Sequence, residues 1–197
     1  AMAFPNADGT VYDKPANNVY FWKDRDSRFY STIVYNGCYF PYKGITSYRQ
    51  WTYKEGDPSG AATTTTGYYC RKMLNPATQT LSQTETMWVE IRYAEVLLNL
   101  AEAALETGDE NTMYECLGKL RQRAGIPEGD YYYGLKVPSD MNKLELVMNE
   151  RFIEQAFEGR RFYDLRRRNM FTEDLGTVTT KLNGEKKGAW GVSYQVN

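Results

Sequence analysis

One long stretch, WVEIRYAEVLLNLAEAALETGD from Trp88 to Asp109, limits the fold of this chain more than any other feature. Its polar residues recur at alternating intervals of three and four, which places them in one narrow stripe of an α-helix. The rest of the circumference is apolar, so the helix must pack against other elements on more than one side. We expect the acidic residues at the end of the stripe to be exposed. The stripe consists of Arg92, Glu95, Asn99, Glu102 and Glu106.

Further helices are predicted downstream of this one. A helix over about residues 111–124 ends at Gly125, and the short link before it makes the two helices an antiparallel hairpin. A third helix is expected to begin near Ser139 or Asp140, either of which can cap it, and to end at Gly159. Apolar residues at helical intervals predict a short fourth helix after that glycine. The hairpin is typical of a tetratricopeptide-like unit, which cannot bury its apolar face alone.

The chain divides by composition into three segments. Residues 1–88 are rich in Gly, Thr, Asn, Tyr and Pro, which predicts a loop-rich part with short strands that carries the ligand face. Residues 89–171 form the predicted helical scaffold, and residues 172–197 are an irregular, truncated tail. Within the first segment, residues 42–67 show neither a strand nor a helix period. We interpret them as a long ordered loop, a kind of segment in which binding residues concentrate.

Composition disfavours several classes of function. The chain contains no histidine, which removes the Ser-His and Cys-His pairs and most catalytic zinc sites, and we predict no metal or other cofactor. A net charge of −1 does not favour nucleic-acid binding. The cysteines, Cys38, Cys70 and Cys116, form no CxxC pair. A Cys38–Cys70 disulfide is one interpretation, and three isolated buried thiols are the favoured one.

The charged cluster near EQAFEGRRFYDLRRR has competing interpretations. Glutamates spaced four apart share one helix face, and such carboxylates could serve glycoside hydrolysis or bind a metal. The favoured interpretation is structural, because nearby arginines can pair with them and because a buried charge is costly unless it is paired. A nucleic-acid surface is disfavoured, because the stretch contains its own aspartate as counter-ion. The predicted network comprises Glu150, Glu154, Glu158, Arg160, Arg161, Asp164 and Arg166, with Arg151 as a further partner.

Aromatic residues crowd the loop-rich segment. The chain has 17 Tyr, 4 Trp and 8 Phe, and tyrosine offers a stiff contact surface with a polar tip. The flat C–H faces of sugar rings stack on such side chains, while polar neighbours bond the sugar hydroxyls. Alternatively, these aromatic residues cover the core beneath a long loop. The candidate residues for glycan binding are Trp51, Tyr48, Tyr53, Tyr42 and Arg49.

Several segments together resemble the SusD/RagB family. They are RDSRFYSTIVYNG, TGYYCRKMLNP, WVEIRYAEVLLNLAEAALETGD followed by LGKLRQRAGIP, and NERFIEQAFEGRRFYDLRRRNMF. The similar segments cover most of Asp24 to Phe171, in the order of the later part of the family. The resemblance implies a mostly α-helical fold of tetratricopeptide-like helix pairs, with a loop-rich part that has short strands.

The resemblance also implies a function. Family members are lipoproteins on the extracellular face of the outer membrane of Bacteroidetes-type bacteria, and they are binding proteins rather than enzymes. They capture oligosaccharides or other nutrients for a SusC-like TonB-dependent transporter. The alternative is a scaffold that contacts the transporter while ligand contacts lie elsewhere. The recurring motifs are scaffold, so they transfer no ligand-binding residue to this chain.

The sequence also departs from the family pattern. The lipoprotein signal, the lipid-bearing cysteine, several helical repeats and the closing Phe-Pro-Ile-Pro-like run are not found in it. We therefore expect a C-terminal piece of a longer protein, whose membrane contact is a lipid anchor absent from this chain. If the piece stands alone, the helix containing Ile91 should leave a large apolar patch exposed.

Overall fold

The computed structural model is mostly helical with a few short antiparallel strands, which confirms the predicted fold class. It describes residues 1, 3–12, 21–40, 45, 47–52, 66–75, 88–136, 138, 141–170, 186–187 and 193–194. The helices in these ranges are α1 (Ser27–Thr32), α2 (Tyr93–Glu106), α3 (Glu110–Arg123), α4 (Lys143–Glu154) and α5 (Arg161–Arg167). The strands are β1 (Ile33–Val34), β2 (Cys38–Tyr39), β3 (Arg49–Gln50), β4 (Tyr69–Cys70), β5 (Lys186–Lys187) and β6 (Ser193–Tyr194).

The chain forms two units, each made of several segments. The helical unit contains residues 1–13, 24–30 and 89–168. The loop-rich unit contains residues 14–23, 31–88 and 169–197, and within it β1 pairs with β4 and β2 with β3. The helical unit therefore includes two short segments from the N-terminal part of the chain.

The predicted hairpin of two helices is present as α2 and α3. Gly108 has a positive φ of 79° and ends α2, and the side chain of Asp109 accepts a hydrogen bond from the backbone N–H of Thr112, which caps α3. Between the helices lies the main hydrophobic core, to which the segment before α4 and α4 itself each add a side chain. The core contains Ala94, Leu97, Leu98, Ala101, Ala104, Met113, Cys116, Leu117, Leu120, Leu135 and Val147.

The outer side of α2 remains apolar and exposed. Ile91 and Tyr93 are each 70% exposed, and Val96 and Leu100 are about half exposed. The helix also begins later than its apolar pattern suggests, because Arg92 is extended (φ −129°, ψ 159°) and serves as the N-cap. The exposed patch expected around Ile91 is therefore confirmed, although Ile91 itself lies just outside the helix.

Helix α4 differs from the prediction at both ends. It begins at Lys143 with Asn142 as the N-cap, and the Asn142 side chain and Glu145 form a reciprocal capping box. The expected caps, Ser139 and Asp140, lie outside the described residues. The helix ends at Glu154, before Gly159, because the chain at Phe157 adopts a positive φ of 65°, which a helix does not permit.

Part of the predicted long loop is a β-hairpin. Strand β3 lies within residues 42–67, and its Arg49 and Gln50 pair with Tyr39 and Cys38 of β2. The interpretation of this segment as lacking regular structure is therefore wrong at β3. Polar and aromatic residues occupy both faces of the hairpin, so the alternation that usually marks a strand is missing from the sequence.

Candidate functional site

The β2–β3 hairpin continues beyond its paired strands on both sides. The backbone N–H of Phe40 donates to the carbonyl of Tyr48 at 3.0 Å, and that of Gly37 donates to the carbonyl of Gln50 at 2.7 Å. At the far end, the backbone N–H of Thr52 donates to the side-chain oxygen of Asn36 at 2.7 Å. Residues 36–40 and 48–52 are therefore held in a fixed register.

This register assigns each side chain to one of two faces. Side chains alternate along a strand, and directly opposed residues share a face. Because Cys38 opposes Gln50 and Tyr39 opposes Arg49, Trp51 stands opposite Gly37 on the same face as Tyr39 and Arg49. We call this set, Gly37, Tyr39, Arg49 and Trp51, the outward face.

The exposure of the side chains agrees with their assignment to two faces. Tyr39 on the outward face is 56% exposed and Arg49 is also exposed, while Trp51 is half-buried. The opposite face carries the buried side chains of Asn36, Cys38 and Thr52. The outward face thus presents two aromatic rings and one guanidinium group to solvent.

Arg49 is held in place by its neighbours on the outward face. Its Nη1 donates to the carbonyl of Gly37 at 2.7 Å, and its Nη2 donates to the hydroxyl of Tyr39 at 2.8 Å. The guanidinium carbon lies 4.1 Å from the centre of the Tyr39 ring, within cation–π range. These contacts orient a planar group of hydrogen-bond donors beside an aromatic surface.

Trp51 packs over Gly37, which explains the glycine at that position. A Cβ atom there would lie 3.3 Å from the nearest ring carbon of Trp51, and the φ of +76° at Gly37 disfavours any side chain. The indole is therefore positioned by the turn that joins Asn36 to β2. A fixed ring costs less conformational entropy on binding than a mobile one.

The structure separates the predicted binding residues. Trp51 and Arg49 lie together on the outward face, whereas the register places Tyr48 on the opposite face. Tyr42 and Tyr53 lie outside the described residues. Tyr39, which was not among the candidates, takes a central place beside Arg49. Only the strand register identifies it, and the register is not legible in a hairpin with polar residues on both faces.

A second aromatic group lies elsewhere in the loop-rich unit. Trp22 stacks on Tyr35, with ring centres 5.5 Å apart and planes inclined by 17°. Phe21 contacts these rings and that of Tyr68 edge-on. Phe21 is buried, so this cluster contributes a core to the unit, in line with the alternative interpretation that aromatic residues cover a core.

The predicted charge cluster lies in the helical unit, and its innermost member is Glu150. One oxygen of this fully buried carboxylate accepts from Nη1 of Arg28 at 2.5 Å, and the other accepts from Nε of Arg121 at 2.9 Å. Pairing of Glu150 with Arg151, Arg160, Arg161 or Arg166 was expected, and that expectation is wrong. Glu150 points away from the α5 side of α4, toward α1 and α3.

Glu154 and Glu158 draw on arginines from other elements as well. Arg92 donates to Oε1 of Glu154 at 2.6 Å and to both oxygens of Glu158 at 3.0 and 2.8 Å. Arg28 and Arg123 also reach Glu154, at 3.1 and 2.5 Å. The carboxylates of α4 thus hold α1, α2 and α3 together.

Asp164 ties α5 to α4. It is 3% exposed, and both of its oxygens accept from Nε of Arg151, at 3.0 and 3.1 Å, while Nη2 of Arg167 donates to one of them at 2.8 Å. Arg161 lies over the ring of Phe152, with 4.6 Å between the guanidinium carbon and the ring centre. Arg166 is exposed.

The polar stripe of α2 faces this charged segment. Arg160 lies 3.1 Å from Glu95, and Arg151 donates to the side chain of Asn99 at 2.8 Å. Nε of Arg168 donates to Glu102 at 2.6 Å, and Arg167 donates to the same carboxylate. The expectation that Glu102 is exposed is wrong, because it is 5% exposed and enclosed by these arginines.

The electrostatics of this network oppose acid catalysis. Burial alone raises the pKa of Glu150, but Arg121 and Arg28 outweigh burial and lower it to about 2. The pKa of Glu154 is also lowered, because Arg123, Arg28 and Arg92 outweigh the effect of its burial. A general acid of a glycosidase needs a raised pKa, so these carboxylates are unsuited to that role.

The cysteines are free thiols, so Cys38 and Cys70 form no disulfide. Burial raises the pKa of the Cys38 thiol, and it does the same for Cys70. Within the described ranges, no three His, Cys, Asp or Glu residues are grouped so that they could hold a metal ion. No helix in those ranges is both long and apolar enough to cross a membrane.

Comparison with known proteins agrees with the resemblance found in the sequence. The family model described as "SusD family" matches residues 2–195. A curated relative, SusD-like protein P2 of Formosa agariphila, is 34% identical over 98 residues, which cover 48% of this chain and 19% of that protein. A crystal structure of a SusD-like protein from Bacteroides fragilis matches with a TM-score of 0.65 and 34% identity, over 86% of this chain and 35% of that one. The chain thus spans about a fifth to a third of the length of these two relatives.

Proposed function

Because this chain belongs to the SusD family, we propose that it binds oligosaccharides at the cell surface and delivers them to a SusC-like TonB-dependent transporter. The protein acts by binding and release and carries out no chemical step. It is held on the extracellular face of the outer membrane by a lipid anchor. Its ligand is a glycan, and its partner is the transporter.

The outward face of the β2–β3 hairpin is the observation that carries this proposal. Tyr39 and Trp51 present aromatic surface, and Arg49 presents fixed N–H donors beside Tyr39. An apolar ring with a nearby polar group matches a sugar, whose C–H face is apolar and whose edge carries hydroxyls. The carboxylates of the charge network, by contrast, are already bonded to arginines.

The geometry suits capture followed by release. The residues of the outward face are held by backbone hydrogen bonds and by contacts with one another, so little ordering is needed when a ligand binds. The surface is open, so a ligand is only partly enclosed and its affinity stays moderate. Moderate affinity permits transfer to a transporter.

Isothermal titration against a panel of oligosaccharides tests the proposal directly. Trp51→Ala and Tyr39→Ala should each weaken binding about tenfold, which is the effect of losing one stacked aromatic contact. Tyr131→Ala is a matched control, because Tyr131 is a half-exposed tyrosine of the helical unit. Equal affinities for the wild type and both outward-face variants would overturn the proposed site, and no binding to any glycan would overturn the function.

Transporter contact by the helical unit is a second candidate function. The exposed apolar residues of α2, Tyr93, Val96 and Leu100, favour it, because exposed apolar patches commonly mark interaction surfaces. Val96→Glu should then abolish co-purification with the transporter while leaving sugar binding intact. Unchanged co-purification in Val96→Glu and Leu100→Glu would exclude this surface.

A further inference from the structure

The charged residues of the loop-rich unit are unbalanced where the structure describes them. Every charged residue in those parts is a lysine or an arginine. Arg49 and Arg71 form no ion pair with any carboxylate in the described ranges. The arginines of the charge network in the helical unit, by contrast, face several acidic groups.

Both arginines bond Tyr39, but at different atoms. Arg49 donates to the Tyr39 hydroxyl, and Nη1 of Arg71 donates to the Tyr39 backbone carbonyl at 3.3 Å. Arg71 also lies over the ring of Phe40, with 5.7 Å between the guanidinium carbon and the ring centre.

The acceptors that hold these arginines are neutral. Arg49 donates to a carbonyl and a hydroxyl, and Arg71 donates to a carbonyl. Such bonds fix the direction of a guanidinium group without cancelling its charge. Each arginine therefore keeps N–H groups and a full positive charge available for an anion.

We propose that the outward face selects acidic oligosaccharides, in which a uronate carboxylate or a sulfate ester meets Arg49 and is attracted at longer range by Arg71. This inference rests on the proposed glycan-binding function and names the class of glycan. A sugar ring stacks on Tyr39 and Trp51, and the anionic group lies beside the guanidinium group of Arg49. A planar guanidinium can bond two oxygens of one carboxylate or sulfate, which a neutral hydroxyl does not offer.

The charge of Arg49 also bears on the class of glycan. Asparagine or glutamine would bond sugar hydroxyls without attraction to anions. Arg49, whose described partners are neutral, keeps its attraction for an anion, and an acidic glycan supplies that anion.

Two pairs of probes distinguish the sources of the anion. Oligogalacturonides are compared with their carboxyl-reduced forms, and oligo-carrageenans with their desulfated forms, by isothermal titration with the purified protein. We expect one acidic probe to bind at least about tenfold more tightly than its neutral counterpart. That preference should shrink when NaCl is raised from about 50 to about 500 mM, because the groups are exposed and screened by salt.

Variants assign the preference to the two arginines. Arg49→Gln should weaken the preferred acidic probe about five- to tenfold and Arg71→Gln should weaken it less, while the neutral counterpart is unchanged, so the neutral probe reports on folding in the same sample. Arg49→Lys should retain part of the preference, since it keeps the charge but not the planar group. Lys119→Gln, which removes an exposed charge from α3, should have no effect.

The outcomes separate this inference from the proposed function. If acidic and neutral probes bind equally, or if both arginine variants keep the preference, the acidic specificity is wrong. The glycan-binding function then still stands, provided that Trp51→Ala weakens the same probes. If neither acidic nor neutral probes bind, and the wider panel also fails, the function itself is overturned and the inference with it.

Discussion

Arg28 and Glu150 form a 2.5 Å ion pair although 122 positions separate them in the sequence. The carboxylate is fully buried, and Arg121 bonds its second oxygen at 2.9 Å. Its pKa in the folded protein is about 2, below the ordinary 4.5, because these arginines outweigh the burial that would raise it. The folded state therefore holds this group ionised at pH values where the unfolded chain would protonate it.

A loss of stability in acid follows from that difference. The stabilisation is complete above about pH 4.5 and is lost as the pH falls toward 2, since the pKa is depressed on folding. We expect the free energy of unfolding to drop by on the order of 3 kcal/mol over this interval from Glu150 alone. Urea unfolding at a series of pH values measures it. At pH 7 the Glu150→Gln variant should be less stable than the wild type, and its free energy of unfolding should change less with pH. Equal stability of the wild type at pH 7 and pH 3 would contradict the prediction.

Two glutamates of α2 should differ sharply in their importance. Glu102 is enclosed by Arg151, Arg167 and Arg168, so Glu102→Ala removes a buried carboxylate that three guanidinium groups share and should cost roughly 2–4 kcal/mol. The Glu106 side chain is 56% exposed and bonds Arg168 alone, so Glu106→Ala should cost less than about 1 kcal/mol. Thermal unfolding of the two variants compares them on one helix. Equal costs would show that the enclosure of Glu102 contributes little.

Substitution of Asp164 should affect mainly folding, and substitution of Trp51 should affect mainly sugar binding. Asp164→Ala removes the shared partner of Arg151 and Arg167 and should destabilise the helical unit by roughly 3–5 kcal/mol, with little change in sugar affinity of the folded fraction. Trp51→Ala should do the reverse. Unfolding curves and titrations on both variants give the comparison. Loss of binding in folded Asp164→Ala would mean that the charge network also shapes the ligand face.

Two glycines with nearly the same backbone angle test the positioning of Trp51. Gly37 has φ +76° and lies against the indole, whereas Gly108 has φ +79° and open space around it. Either substitution by alanine should cost roughly 1–2 kcal/mol from the left-handed backbone. Gly37→Ala should additionally displace Trp51, seen as a change in tryptophan fluorescence, and should weaken sugar binding. If Gly108→Ala impairs binding to the same extent, the contact with Trp51 is not the cause.

Local signals predicted much of the helical unit. The α2–α3 hairpin follows from the apolar periodicity on either side of Gly108 and Asp109, all within a short stretch of chain. The sequence also contains a signal for the start of α4, because Asn142 stands three residues before Glu145 in the order of a capping box. Ser139 and Asp140 are rival cap residues close by, and the cap is expected from the sequence at one of those instead. The spacing of residues in the sequence does not show which of several neighbouring candidates will be the N-cap.

Long-range partners were beyond the reach of the sequence. Nothing near Glu150 indicates that Arg28 or Arg121 will reach it, since those contacts depend on how α1, α3 and α4 pack. The grouping of side chains on the outward face could not be predicted for a similar reason. Tyr39 meets Arg49 only in one strand register, and polar residues on both faces do not specify a register. Residue types at the candidate site were therefore predictable, but their grouping was not.

The placement of Arg28 has a consequence for how the chain could diversify. Tyr30 and Val89 both belong to the helical unit, so residues 31–88 leave that unit and return to it as an insertion in a host. Ion pairs of the host close on either side of the insertion, through Arg28 before it and Arg92 after it. We expect a chimera that carries the whole loop-rich unit of a SusD-like relative, at residues 14–23, 31–88 and 169–197, to keep the host's unfolding midpoint and to acquire the donor's sugar preference. A new sugar specificity would then be acquired by exchange of the loop-rich unit, with the helical unit unchanged.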